Sequence, residues 1–151
     1  MATGLLLVCV VLIRTFVVGW YPVTSASMSP TVRPGDRLLV DKLTPHFAEP
    51  DLGDLVTFPS PKDGQLLVKR VVALPGDTVR MDDAVLVVNG HRVHEPYVDY
   101  DMIDGTYFGP VTVPPRHLYV LGDNRYGSVD SRVYGPIEAS SVNGRVLRVI
   151  P

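Results

Sequence analysis

Glycine and proline punctuate this chain so densely that long helices are excluded over most of its length. The 151 residues include 13 glycines and 14 prolines, well above ordinary usage. Proline removes a helix donor and glycine weakens a helix interior. What remains between the breakers is short and β-like. Arg37–Asp41 reads as a strand opened by the turn Pro34-Gly35-Asp36, and Leu55–Phe58 as one stopped by Pro59. Leu66–Leu74 is a longer strand ending at Pro75-Gly76-Asp77. Thr78–Met81 and Ala84–Val88 read as a hairpin turned at Asp82-Asp83, followed by the tight-turn pair Asn89-Gly90. Leu118–Leu121 and Arg145–Ile150 are the last strands, with a short helical turn near Pro136–Ser141. Thr44–Pro50 and Pro96–Pro115 read as loops. Strands at this spacing indicate a mostly β, antiparallel body.

The N-terminus is the exception. Leu5 to Ile13 is unbroken apolar sequence, and Arg14 is the one charge between Ala2 and Val23. A helix from Ala2 to Tyr21 is about 30 Å long, enough to cross a bilayer core. Trp20 and Tyr21 suit an interfacial belt, Pro22 is a stop, and Arg14 can snorkel toward headgroups. A cleaved signal peptide fits less well, because no Lys or Arg precedes the apolar run. A buried core helix lacks partner material in a chain this short. Residues 1–22 are therefore expected to be a membrane anchor, and residues 23–151 a β-rich domain. That length supports a genuine core, burying roughly 70% of the unfolded surface. The formal net charge of −2 argues against nucleic acid as a partner. A single cysteine, Cys9, excludes an internal disulfide framework and a Cys-based zinc site.

Three stretches could carry chemistry. Ser25-Ala26-Ser27-Met28-Ser29-Pro30-Thr31 follows the membrane exit and by itself reads as a loop. Lys69 lies within an apolar strand, on the face of Leu67, Val71 and Ala73, while Arg70 points the other way. A lysine there is costly unless paired or neutral. Desolvation lowers its pKa and lets it act as a base near neutral pH, although an edge or snorkelling lysine is the commoner case. Gly122 to Arg132 is a polar run of mixed charge, otherwise a solvated loop. His91-x-x-His94 beside Glu95, and the Asp99–Gly105 loop, are poor metal sites: the first lacks ligands, and Ile103 and Pro110 stand where calcium ligands are needed. No metal or cofactor is expected.

Together these stretches resemble the type I signal peptidases, the Ser/Lys proteases that remove signal peptides from secreted proteins. The resemblance runs in order along nearly the whole chain. It comprises the apolar segment ending Arg-Thr-Phe, Ser-x-Ser-Met-x-Pro-Thr from Ser25, and Gly-Asp-x-Leu-x-Val at Gly35–Val40. It continues with Lys-Arg-Val-Val-Ala-Leu-Pro-Gly-Asp at Lys69–Asp77 and Gly-Asp-Asn-Arg-x-x-Ser-x-Asp-Ser-Arg at Gly122–Arg132. Tyr126-Gly127 departs from the Asp-Asn often found there. The resemblance implies an antiparallel β-sheet body with an N-terminal transmembrane helix. It implies Ser27 as nucleophile, Lys69 as general base, and Ser25 with the Ser27 backbone N–H as oxyanion hole. Ser128 would orient the lysine. Asp130 and Arg132 form a supporting pair, and Asp123 and Arg125 have structural roles. Tyr21, Pro22, Val23, Thr24, Ala26 and Met28 are candidates to line an extended substrate.

The implied partners are preproteins bearing signal peptides, the lipid bilayer and the translocase, with a monomer as the default state. The implied location is the cytoplasmic membrane, single-pass, with the catalytic domain outside. Two rivals stay open: a specialised Ser/Lys peptidase of a conjugation or pilus system, and an inactive membrane-anchored preprotein-binding domain.

Overall fold

The computed structural model describes residues 17–102 and 106–151. Eleven strands follow in chain order: β1 Val18–Pro22, β2 Arg37–Asp41, β3 Leu55–Pro59, β4 Leu66–Ala73, β5 Thr78–Asp82 and β6 Val85–Val88, then β7 His91–Arg92, β8 Phe108–Thr112, β9 His117–Leu121, β10 Ile137–Glu138 and β11 Gly144–Ile150. One four-residue helix, α1 Ser131–Tyr134, precedes β10. A seven-stranded sheet runs β1-β2-β11-β3-β4-β9-β10, and a four-stranded sheet β7-β6-β5-β8. The pairings are antiparallel throughout, so the expected mostly β, antiparallel body is what the chain builds.

Alternation explains the core. In β2, Leu38 and Val40 face inward and pack with Val23, Met28 and Val32. In β3 and β9, Val56, Phe58, Leu118 and Val120 make a second cluster with Val71. The third joins the two sheets: Val79, Met81 and Leu86 of the small sheet meet Val72, Ala73, Tyr119 and Leu121. The Phe108 and Tyr119 rings stack there at 5.5 Å.

Several expectations are corrected. The helix expected to reach Tyr21 does not include Val18–Pro22, which is strand β1, paired from Val18 opposite Asp41 to Pro22 opposite Arg37. β-branched Val18 and a glycine at 19 are weak helix formers. Gly19 and Tyr21 share the inward face, and a Cβ at Gly19 would sit 2.5 Å from the Tyr21 ring. The remainder of the expected anchor, up to Phe16, lies outside the described residues. Among the described residues, no helix is long and apolar enough to cross a membrane.

The first hairpin turns at Asp83-Ala84, not Asp82-Asp83. Asp82 pairs with Val85, and both turn residues have positive φ, 49° and 65°. That is the twist-matched geometry for two-residue hairpins, and buried Ala84 is secured by donating its N–H to Thr106 O at 2.9 Å. The expected loop 96–115 contains β8, an edge strand against β5. An edge tolerates Pro110, whose missing donor faces away from a partner.

Candidate active site

The segment bearing Ser27 leaves β1 and is held at both ends. Val23 donates to Asp36 O at 2.8 Å and accepts from Gly35 N–H at 2.9 Å. Downstream, Ser29 N–H donates to Ala26 O at 3.1 Å and Val32 N–H to Met28 O at 2.9 Å. Met28 and Val32 are wholly buried beneath this turn. Ser27 therefore stands on a tight turn plugged into the core on either side. The side chain of Met28, a residue expected to touch substrate, is the plug and packs with Val23, Val32, Leu38 and Val40.

Lys69 comes from β4, directly opposite Val56 on β3. It is 1% exposed, and its Nζ lies 2.7 Å from Ser27 Oγ. Burial lowers its pKa from 10.5 to about 8, against the opposing pull of the Asp130 and Asp123 charges and with a small push from Arg132. At that value a substantial neutral fraction exists near neutral pH. The expected sharing of a face holds as far as Val71. A bulge between Val71 and Ala73 against β9 then turns Ala73 into the inter-sheet cluster with Val72. Ser25 Oγ is 3.2 Å from Ser27 Oγ.

Around this pair lie three ion pairs whose carboxylates are buried. Asp130 is fully buried and caps α1. It accepts from Arg132 Nε and Nη2, both at 2.8 Å, and from Gly122 N–H at 3.0 Å. Arg70 points away from Lys69, as alternation requires, and makes a bidentate pair with Asp123 at 2.9 and 2.7 Å. Its guanidinium also covers the Tyr97 ring at 3.8 Å, and the carboxylate beside it raises its pKa against burial. Arg125 makes a bidentate pair with Glu95 at 2.7 and 2.5 Å, both side chains fully buried, and donates through Nε to Gly122 O at 3.0 Å. Tyr97 Oη donates to the same Glu95 at 3.0 Å. These pairs fix both polar groups of Gly122, the residue where strand β9 becomes the site loop.

Gly122 cannot carry a side chain. A Cβ would strike the Ser128 side chain and the Ser27 carbonyl oxygen. Ser128 therefore packs beside the nucleophile turn. Its hydroxyl is buried and makes no hydrogen bond among the described residues, so the expected Ser128–Lys69 bond is not formed in this geometry. Lys69 Nζ is engaged with Ser27 instead.

A cleft of about 130 Å³ opens at Ser27. It is lined by Tyr21–Ser25 on one wall and by Gln65–Val68 of the β4 side on the other, with Leu38 and Thr57 completing the lining. Of the expected substrate residues, Tyr21, Pro22, Val23 and Thr24 line it; Ala26 is exposed on the turn and does not. β1 is the terminal strand of its sheet, and β9 pairs with β4 only from Arg70 onward. Both walls thus carry backbone available for an added strand.

Sequence reasoning missed Glu95, Tyr97 and the role of Asn124. Asn124 donates its backbone N–H to Ser27 O and its side-chain Nδ2 to Ala26 O, each at 3.1 Å. Beside His94, Glu95 reads from sequence only as a metal ligand. An acidic residue followed by Pro96-Tyr97 gave no local sign that its partner lies thirty residues on.

A family model described as "Signal peptidase, peptidase S26" matches residues 1–150. The chain is similar to a signal peptidase I of Bacillus licheniformis, 40% identical over 133 residues, covering 83% of this chain and 72% of that one. It is 35% identical to a signal peptidase I of Leptolyngbya laminosa over 95% of this chain and 74% of the relative. The crystal structure of a signal peptidase I from Enterococcus faecalis V583 superposes with a TM-score of 0.58 at 36% identity, covering 67% of this chain and 98% of that one. With the order of its motifs, its antiparallel sheets and these matches in agreement, the chain belongs to the signal peptidase family, peptidase S26.

Proposed function

We propose that this chain is a membrane-associated serine endopeptidase that removes signal peptides from secreted preproteins after small residues, using Ser27 and Lys69. The observation that carries the reading is the 2.7 Å approach of a buried Lys69 Nζ to Ser27 Oγ, with the lysine pKa brought to about 8.

The chemistry follows from that pair. Neutral Lys69 takes the Ser27 hydroxyl proton as Oγ attacks the scissile carbonyl carbon. Ser25 Oγ and the Ser27 backbone N–H receive the oxyanion, a role supported by the 3.2 Å spacing of the two hydroxyls. The C–N bond breaks, the Lys69 ammonium protonates the leaving amine, and the signal peptide remains as an ester on Ser27. Water then gives its proton to Lys69 and its oxygen to the ester carbon, and Ser27 leaves with the proton restored. The unpartnered Ser128 hydroxyl supports a role in holding the ammonium between these steps, and the buried Asp130 charge favours the same state.

The shallow cleft supports small side chains beside the cleaved bond, and its open walls support an extended substrate. The segment ahead of β1 is the proposed single membrane span, supported by the apolar run Leu5–Ile13. It would hold the catalytic domain on the outer face of the cytoplasmic membrane, where cleavage sites emerge.

The test is cleavage of a purified preprotein with an Ala-x-Ala site in detergent, with mass analysis of the product. Wild type should cut after the second Ala, and Ser27→Ala and Lys69→Ala should not. Cutting by both variants would reject the assignment. No cutting by wild type would favour a specialised substrate or a binding-only domain.

A further inference from the structure

The peptide unit between Ala26 and Ser27 is held at its carbonyl end by a side chain from the far loop. Ala26 O accepts from Asn124 Nδ2 at 3.1 Å and from Ser29 N–H at 3.1 Å. The next carbonyl, Ser27 O, accepts from the Asn124 backbone N–H at 3.1 Å. The Asn124 amide is itself oriented, because its Oδ1 accepts from Gly127 N–H at 2.9 Å, which leaves Nδ2 facing Ala26. The Ala26–Ser27 bond is trans. In a planar trans peptide the C=O and N–H point in opposite directions. Fixing Ala26 O on one side therefore fixes the direction of the Ser27 N–H on the other.

We infer that Asn124 is a positioning residue for the oxyanion hole: by clamping Ala26 O and Ser27 O it aims the Ser27 N–H at the oxyanion of the acylation transition state. The inference rests on the Ser27/Lys69 reading above and adds a residue to it. Among the described residues the hydrogen bonds of Asn124 go to Ala26 O, Ser27 O and Gly127 N–H, and not to Ser27 Oγ or Lys69; its effect passes through one rigid peptide plane. An oxyanion donor acts only where charge develops, so its misdirection costs turnover and spares substrate binding. Loss of one such donor costs about 10²–10³ in kcat. A donor that is present but free to rock costs less, on the order of 10–100-fold.

The test measures kcat, KM, the pH midpoint of kcat/KM and the thermal midpoint for wild type, Asn124→Ala and Asn124→Asp on one preprotein. Asn124→Asp keeps an acceptor for Gly127 N–H but presents no donor to Ala26 O, so it carries the test if the alanine variant does not fold. Both variants should lose about 10–100-fold in kcat, with KM within about twofold and the pH midpoint unmoved. Wild-type kcat in Asn124→Asp overturns the inference. So does a loss expressed in KM, which would place Asn124 at the cleft, or a shifted pH midpoint, which would make it act through Lys69. Failure of both variants to fold also overturns it and assigns Asn124 to stability. Inactive wild type would reject the peptidase reading itself, an outcome distinct from all of these.

Discussion

At the scale of the residue, Lys69 is a buried base whose charged form the fold penalises. It is 1% exposed and its folded pKa of about 8 lies below the ordinary 10.5. A base held neutral by burial destabilises the fold wherever it must be charged. Because the folded value is the lower one, the unfolded chain binds more protons between about 8 and 10.5, and stability rises with pH across that window. The shift corresponds to about 3 kcal/mol at neutral pH. Lys69→Met should therefore be inactive yet more stable at pH 7 by up to about 3 kcal/mol. Its advantage should shrink as pH rises above 8. Denaturant unfolding of both proteins at pH 7 and pH 9.5 checks this, and an unstable methionine variant would mean that the lysine contributes net stability.

Ser27 and Lys69 were legible because their motifs are local in sequence. What sequence could not give is which groups have no partner to spare. Ser128 was expected on the lysine, yet in this geometry its hydroxyl is held against Gly122 with nothing bonded to it. Met28 sits beside the nucleophile in sequence, but its side chain packs in the core with Val23, Val32, Leu38 and Val40.

At the scale of the element, β2, β3, β4 and β9 were legible because short apolar runs are bounded there by turn residues or proline. Strands were missed where those signals conflicted. β1 continues an apolar run that periodicity alone cannot tell from a helix, and β8 contains Gly109-Pro110 in mid-strand. The ion pairs were the least legible, because their partners are far apart in the chain. Glu95 precedes β8 and Arg125 follows β9, so the pair ties the small-sheet side of the molecule to the Gly122 loop. Removing one partner of a fully buried pair leaves the other charge unpaired, which costs about 3–5 kcal/mol. Glu95→Gln should destabilise by about that amount in urea unfolding. It should also lower turnover, because Arg125 also holds Gly122 O. Wild-type stability in this variant would show that the buried Arg125 guanidinium does not need the Glu95 charge, and would contradict this account of the pair.

At the scale of the whole molecule, the two sheets meet through one inter-sheet cluster, and the nucleophile turn, β4 and the Gly122–Arg132 segment converge at Ser27. The turn supplies Ser27, the strand supplies Lys69, and the last segment locks both through Asn124, Asp123 and Asp130.

The central claim is that a buried lysine, and no histidine, is the base. The most direct measurement is the pH dependence of kcat/KM for preprotein cleavage by the wild-type enzyme. Lys69 must be neutral to take the Ser27 proton, so activity should fall about tenfold per pH unit on the acid side and level off above a midpoint near 8. A midpoint near the ordinary histidine value of about 6.5, or a rate that is flat between these values, would contradict the account.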